Sequence, residues 1–157
     1  FKLMNKLFSI ILFIVFSGCG FKIVDLSKAN NFSVIDINAN GDKKINYIIK
    51  NNILYASKNN KAKQITIDIN TKKNKIIKEK NIKNEITKYE IKIITDVIFS
   101  EISKNNSYNF TVIKNGSYDV ASQNSETRNN EKKLISVLSD NLADEILKEI
   151  RLKLNDI

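Results

Sequence analysis

Few residues of this 157-residue chain have the chemistry of a catalytic or metal site, because it contains one cysteine and no histidine. A single cysteine excludes an internal disulfide framework and a multi-cysteine zinc site. Without histidine, the Ser-His-Asp and Cys-His arrangements and most transition-metal sites are also excluded. The four glycines form no phosphate-binding loop, and the spacing of the carboxylates indicates no catalytic pair. The sequence therefore predicts a protein that is not an enzyme and holds no metal or diffusible cofactor.

One segment matches the first half of a calcium loop. Residues 36–41 read DINANG, with oxygen-bearing side chains at alternate positions and glycine at the sixth. The twelfth position of such a loop is a bidentate Glu, and here it is Tyr47, while the ninth is Lys44. We therefore interpret residues 38–42 as a turn that joins a strand to a helix, with a calcium loop as the less favoured alternative.

The single cysteine, Cys19, follows an apolar segment. Residues 7–16 are apolar except for Ser9, and Lys2 and Lys6 precede them, with Met4 a candidate for the true start. This run is shorter than the about 20 residues that a membrane-spanning helix needs. It is typical of the apolar region of a secretory signal, which small residues follow before the cleavage point. An uncleaved anchor helix is the less favoured alternative.

Residues 16–19, FSGC, resemble a bacterial lipobox, with Phe16 where Leu is usual. The resemblance implies that residues 1–18 are a lipoprotein signal peptide and that Cys19 becomes the first residue of the mature protein. Cys19 would then carry diacylglycerol on its sulfur and an N-acyl chain, and more than one acyl chain makes membrane attachment stable. Gly20, in place of an Asp, implies sorting to the outer membrane, at its periplasmic face.

The chain is basic, with a formal net charge of +9. Removal of residues 1–18, which include Lys2 and Lys6, lowers this charge to +7. Export argues against nucleic acid as a partner, so the expected polyanions are lipid headgroups and the phosphates of lipopolysaccharide. Arg128 is one candidate contact, and a lysine cluster is another: Lys72, Lys73, Lys75, Lys78, Lys80 and Lys83. For any single lysine, a solvated surface position is an equally good interpretation.

Apolar periodicity predicts the elements that must position these residues. The predicted elements are a strand at 32–37, a helix at 42–57, strands at 64–71, 85–102 and 108–120, and a helix from about Ser125. Residues 72–84 are predicted to extend a strand at first and then to form a loop, and bulges are expected at 93–94 and 115–116. After a tether at 19–31, residues 32–157 are predicted to form one α+β domain. Two helices would pack on one face of a mostly antiparallel four-stranded sheet.

Four segments carry a resemblance to a known family: GCGF at 18–21, ITKYEIKIITDVIF at 86–99, GSYDVASQNSE at 116–126 and NLADEILKEIRLKL at 141–154. By their order and spacing, the mature chain resembles the LptE family of lipopolysaccharide-assembly lipoproteins. The resemblance implies a compact sandwich of two helices on four strands. It also implies that the domain plugs and stabilises LptD, the large outer-membrane β-barrel that inserts lipopolysaccharide, and that it binds lipopolysaccharide itself.

The resemblance further implies which residues bind lipopolysaccharide. Arg128 lies where the family has a basic residue just before the last helix. The family's other basic position falls near Ile82, which Lys80 and Lys83 flank. Two alternatives remain open, namely a structural accessory of another envelope machine and a soluble binding protein for a small anionic ligand.

Overall fold

The computed structural model describes residues 32–57, 63–104 and 106–155. The elements are β1 (Phe32–Gly41), α1 (Lys43–Ala56), β2 (Lys63–Lys80), β3 (Ile86–Glu101), β4 (Asn106–Asp119) and α2 (Asn124–Asn155). The strands form one sheet in the order β1-β2-β3-β4, in which β1 is parallel to β2 and the other pairs are antiparallel. The predicted α+β sandwich, with two helices on a mostly antiparallel four-stranded sheet, is confirmed. The predicted signal peptide, Cys19 and the tether at 19–31 lie outside the described residues.

The core lies between the sheet and the helices. It forms because alternate residues of β2 and β3 face the helices, while the predicted apolar stripe of α2 faces the sheet. The buried side chains include Ile65, Ile67, Ile69, Ile91, Ile93, Val97, Phe99, Leu142, Ile146 and Ile150. No helix in the described ranges is long and apolar enough to cross a membrane.

Both helices agree with the predicted periodicity. The side chain of Asp42 accepts hydrogen bonds from the backbone N–H groups of Lys44 and Ile45, which fixes the start of α1. On the surface of α2, Lys148 Nζ lies 3.3 Å from Glu145 Oε1, an ion pair between residues three positions apart.

Two strands are longer than predicted. β1 continues through Gly41 and pairs with β2, so residues 38–42 are not the turn that we expected. Residues 36–41 are therefore extended, and within the described residues no group of three acidic, Cys or His side chains could hold a metal ion. β2 continues to Lys80, which leaves only residues 81–85 as a loop. The predicted extension of a strand into residues 72–84 is therefore right but reaches farther than expected, because solvent-facing Lys and Asn are equally compatible with an exposed strand.

Neither predicted bulge is present. The register of β3 and β4 is continuous from Lys88 opposite Asp119 to Glu101 opposite Asn106. Ile93 and Ile94 suggested a shift only because both faces of the sheet carry isoleucine there. The irregularities lie elsewhere: the pairing of β1 with β2 shifts between Val34 and Asp36, and the pairing of β2 with β3 shifts on both sides of Glu79.

Gly41 is required where β1 meets α1. Its φ is +97°, a backbone conformation that residues with a side chain rarely adopt. An added Cβ would also lie 2.0 Å from the carbonyl oxygen of Thr71. At Gly116 the nearest atom to an added Cβ is Leu134 Cδ1, at 2.8 Å, which belongs to a side chain that can move.

We predict that Gly41→Ala lowers the free energy of unfolding by about 2–4 kcal/mol, because backbone strain and a clash with backbone both oppose it. Gly116→Ala is the matched control and should cost about 1 kcal/mol. Urea denaturation followed by circular dichroism measures both. Equal losses for the two variants would contradict the assignment of Gly41 as a position that excludes a Cβ atom.

Candidate functional site

The loop between β2 and β3 is a short turn held by one asparagine. The side-chain oxygen of Asn81 accepts hydrogen bonds from the backbone N–H groups of Lys83, at 2.9 Å, and Glu85, at 3.0 Å. The Asn81 N–H donates to the carbonyl oxygen of Glu85 at 2.9 Å, and Asn84 has a positive φ of 62°. These bonds fix the backbone on which Lys80 and Lys83 lie.

Lys80 and Lys83 present their charges to solvent at this turn. Lys80 Nζ donates to the side-chain oxygen of Asn84 at 2.9 Å. The Lys83 side chain makes no hydrogen bond or ion pair with any described residue, and neither lysine has a carboxylate partner among them. Ile82, between them, is fully exposed. The turn therefore combines two available cations with an apolar side chain.

Arg128 lies at the same end of the molecule. Beyond the pairing of Lys88 with Asp119, the Val120 N–H donates to the carbonyl oxygen of Thr87 at 2.9 Å. The chain then enters α2, and Arg128 lies in its first two turns, exposed and without a side-chain partner in the described part of the chain. The fold thus brings Arg128 to the end of the sheet that carries the β2–β3 turn, although the two segments are far apart in sequence.

A cluster around Glu131 fixes the start of α2 against the sheet. Glu131 Oε2 accepts hydrogen bonds from Lys75 Nζ at 2.7 Å and from the Tyr118 hydroxyl at 2.8 Å. Lys75 Nζ also lies 4.3 Å from the centre of the Tyr89 ring, which stacks on Tyr118 at 5.7 Å between centroids. We call Lys75, Tyr89, Tyr118 and Glu131 the Glu131 cluster. It joins β2, β3, β4 and α2 one helical turn from Arg128.

The electrostatics of the Glu131 cluster favour its charged form. Partial burial raises the pKa of Glu131, but the hydrogen bonds from Lys75 and Tyr118 outweigh it and hold that pKa below its ordinary value. Partial burial lowers the pKa of Lys75, but the hydrogen bond to Glu131 reverses this and raises it. For Tyr118, burial raises the pKa. All three groups therefore keep the protonation states that bond α2 to the sheet near neutral pH.

The structure divides the predicted lysine cluster into two groups. Lys73 lies 3.0 Å from Asp42, Lys75 bonds to Glu131, and Lys78 lies 3.6 Å from Glu90. These three lysines are engaged within the fold, which the sequence prediction of a single basic cluster did not distinguish. The remaining members, Lys72, Lys80 and Lys83, have no carboxylate partner among the described residues.

Carboxylates also occur at this end of the molecule. Lys88 Nζ lies 3.1 Å from Glu79 and 3.6 Å from Asp119, so these charges offset one another. Glu85 accepts a hydrogen bond from the Asn81 side chain, and Glu126 lies in the first turn of α2, where a negative charge suits the helix dipole. The end is therefore not uniformly positive. Lys80, Lys83 and Arg128 are cations at this end that have no carboxylate partner among the described residues.

Sequence reasoning missed the Glu131 cluster. Lys75 and Glu131 are 56 positions apart, and no local spacing connects them. The predicted pairing of strands would place Tyr89 beside Tyr118, but the sequence contains no signal for which acidic residue of α2 meets them.

The described fold is shared with several bacterial lipoproteins of known structure. The rare lipoprotein B of Shewanella oneidensis superposes with a TM-score of 0.59 at 12% identity, over 77% of this chain and 97% of that one. A Caulobacter crescentus lipoprotein gives a TM-score of 0.55 at 12% identity, over 84% of this chain and 93% of its own. Lipoprotein B of Nitrosomonas europaea gives 0.54 at 13% identity, over 87% and 94%.

The fold is that of these lipoproteins. At such identities the likeness concerns the fold alone, and it agrees with the LptE-like architecture that the sequence resemblance implies. The sequence itself matches no protein-family profile and no curated protein.

We predict that Glu131→Gln lowers the free energy of unfolding at pH 7 by about 1 kcal/mol, because Lys75 loses its charged partner at a partly exposed site. The wild-type contribution is present above the ordinary Glu pKa of 4.5 and is lost as the pH falls through the lowered folded pKa. Thermal unfolding between pH 7 and pH 3 measures this.

Asp144→Asn, at an exposed position in the middle of the same helix, is the control. The difference in melting temperature between wild type and Glu131→Gln should shrink toward pH 3. A difference that persists unchanged at pH 3 would contradict a role for the Glu131 charge.

Proposed function

We propose that this protein is a lipoprotein of the outer membrane, anchored at the periplasmic face through an acylated Cys19. In this role it plugs and stabilises the LptD β-barrel and binds lipopolysaccharide during its assembly at the cell surface. The observation that carries the proposal is the placement of Lys80, Lys83 and Arg128 at one end of a lipoprotein fold without carboxylate partners among the described residues. The role is non-enzymatic.

The chemistry of this end suits an anionic amphiphile. Lipid A and the inner core carry phosphates, which guanidinium binds through paired hydrogen bonds and ammonium binds as a point charge. Arg128 would provide the first kind of contact and Lys80 and Lys83 the second. The exposed Ile82 between the lysines would contact the apolar part of the same lipid. A uniformly polar ligand would leave Ile82 in water.

The Glu131 cluster would position these cations. It attaches the start of α2 to β2 and β4, so Arg128 and the β2–β3 turn are held on one rigid scaffold. A preformed arrangement lowers the entropy lost on binding, because the two segments need not be brought together by the ligand.

The anchor is compatible with a domain seated in a membrane barrel. Twelve residues, 20–31, lie between Cys19 and Phe32 at the start of β1, and the thirteen Cα–Cα steps span at most about 45 Å when fully extended. Two or more acyl chains on Cys19 would keep the domain at the inner surface of the outer membrane, near its barrel.

We predict that radiolabelled palmitate is incorporated into the wild-type protein and not into Cys19→Ser, because Cys19 is the only thiol in the chain. The variant should also move from the membrane fraction to the soluble periplasmic fraction. Incorporation that persists in Cys19→Ser would contradict the lipoprotein assignment.

We predict that Arg128→Glu weakens lipopolysaccharide binding about tenfold, because one charge-assisted contact is replaced by repulsion. Lys92→Glu is the matched control, since Lys92 is an exposed cation in the middle of β3, away from the β2–β3 turn. Binding is measured by pull-down on immobilised lipopolysaccharide, with circular dichroism to confirm folding. Equal weakening by the two variants would contradict a specific site at Arg128.

A further inference from the structure

The sheet has three stretches of unpaired strand edge, and they differ in how their backbone groups are covered. An unpaired edge presents backbone N–H and C=O groups that can pair with another strand, and folded proteins usually block it. The stretches are β1, the part of β2 beyond its pairing with β1 at residues 72–80, and β4.

Side chains of α1, and of Ser57 directly after it, cover the edge of β1. They bond to its backbone in two places: Ser57 Oγ accepts from the Val34 N–H at 2.5 Å, and Lys50 Nζ donates to the Ile37 carbonyl at 3.1 Å. These bonds occupy backbone groups that a neighbouring strand would need.

Lysines protect the free stretch of β2. Residues 72–80 include Lys72, Lys73, Lys75, Lys78 and Lys80. Lysine on an edge strand opposes pairing, because the incoming strand would have to cover charges that need water. The edge of β2 is therefore blocked by its charged side chains, whereas the edge of β1 is blocked by side chains that bond to its backbone.

The edge of β4 has neither protection. Residues 106–119 contain no proline, and their only charges are Lys114 and Asp119. Among the described residues, no side chain bonds to the backbone of residues 106–118, and the first such contact is Asn130 Nδ2 to the Asp119 carbonyl, at 3.4 Å. Because β4 pairs only with β3, alternate residues along it direct N–H and C=O groups away from the sheet.

Separate hollows lie along this open edge, between β4 and α2. Leu134 and Val137 line one hollow near Tyr118, and Lys153 lines another at the opposite end of β4. Between them α2 lies over β4, with Lys114 Nζ 3.7 Å from Glu145. The edge therefore has an apolar wall at one end, an ion pair in the middle and a cation at the other end, beside a row of free backbone groups.

The position of α2 favours one extended segment over a second copy of this chain. Neighbouring strands lie about 4.8 Å apart, whereas packed helices need about 8–10 Å between axes. Two copies joined edge to edge at β4 would bring α2 against its own counterpart, since α2 lies over β4. A single strand without a helix meets no such obstacle.

We propose that β4 is a docking edge for an extended segment of the barrel partner, which enters as a fifth strand of the sheet. The proposal rests on the proposed function for the identity of the partner. Backbone hydrogen bonds provide the affinity, as in other strand additions. Side chains on one face of the incoming segment contact Leu134 and Val137 and are therefore apolar. Those on the other face lie beside Ile113, which is half exposed on the open face of the sheet.

Amide hydrogen exchange on the acylated full-length protein, free in detergent and in its detergent-extracted barrel complex, tests this proposal. In the free protein, alternate amides of β4 should exchange rapidly. In the complex, the same amides should exchange at least about tenfold more slowly, while exposed amides of residues 72–80 remain unchanged. A complex in which the β4 amides exchange as in the free protein would overturn the docking edge and leave the proposed function standing.

A pair of variants provides a second readout. Ile113→Lys places a charge beside the incoming strand, and Ile76→Lys makes the same change at a similarly exposed isoleucine on β2. Ile113→Lys should reduce recovery of the barrel complex about tenfold, because edge lysines oppose pairing, and Ile76→Lys should leave it unchanged. Equal recovery with both variants would overturn the docking edge. Failure to isolate any barrel complex with the wild-type protein would overturn this proposal together with the proposed function.

Discussion

One carboxylate, Glu131, connects the last helix to the part of the sheet that extends beyond the first helix. β1 ends its pairing with β2 at Thr71, and residues 72–80 of β2 are exposed, so the bond from Lys75 to Glu131 joins an otherwise exposed stretch of strand to α2. Lys75 and Tyr118 both donate to Glu131, and Tyr89 completes the cluster by stacking. This contact adds to the burial of Ile135 and Leu138 and to the bonds between Thr127 and Ala121, which together hold the start of α2, and with it Arg128, against the sheet.

The regular features of the fold were predictable from sequence, because periodicity reports which face of an element is buried. Ile65, Ile67 and Ile69 indicated a half-buried strand, and the stripe from Ile135 to Ile150 indicated the last helix. Errors arose where both faces look alike. Ile93 and Ile94 suggested a bulge in a strand that is regular. In the Lys- and Asn-rich residues 72–84 the predicted strand ended too early, because an exposed strand needs no apolar face. The Glu131 cluster depends on a contact across 56 positions, which no local pattern encodes.

The two outer strands of the sheet and the end of its β2–β3 hairpin have different roles. At β1 the chain closes its edge with α1, and Gly41 allows the tight approach to Thr71 that begins this helix. At the far end of the hairpin, two lysines without a carboxylate partner among the described residues flank an exposed isoleucine, which suits a lipid with phosphates. At β4 the backbone is left open beneath α2. In the proposed role, β1 lies on the side of the lipid anchor, the end of the hairpin contacts the lipid, and β4 contacts the barrel.

The central claim is that this domain is the lipoprotein partner of a large outer-membrane β-barrel. The most direct test is mild-detergent extraction of membranes that contain the affinity-tagged, acylated protein, followed by purification and mass spectrometry of the proteins that remain bound. The account predicts one large β-barrel in equimolar amount that survives washing at high salt. Recovery of only other lipoproteins or peptidoglycan would contradict it and would favour an accessory of a different envelope machine.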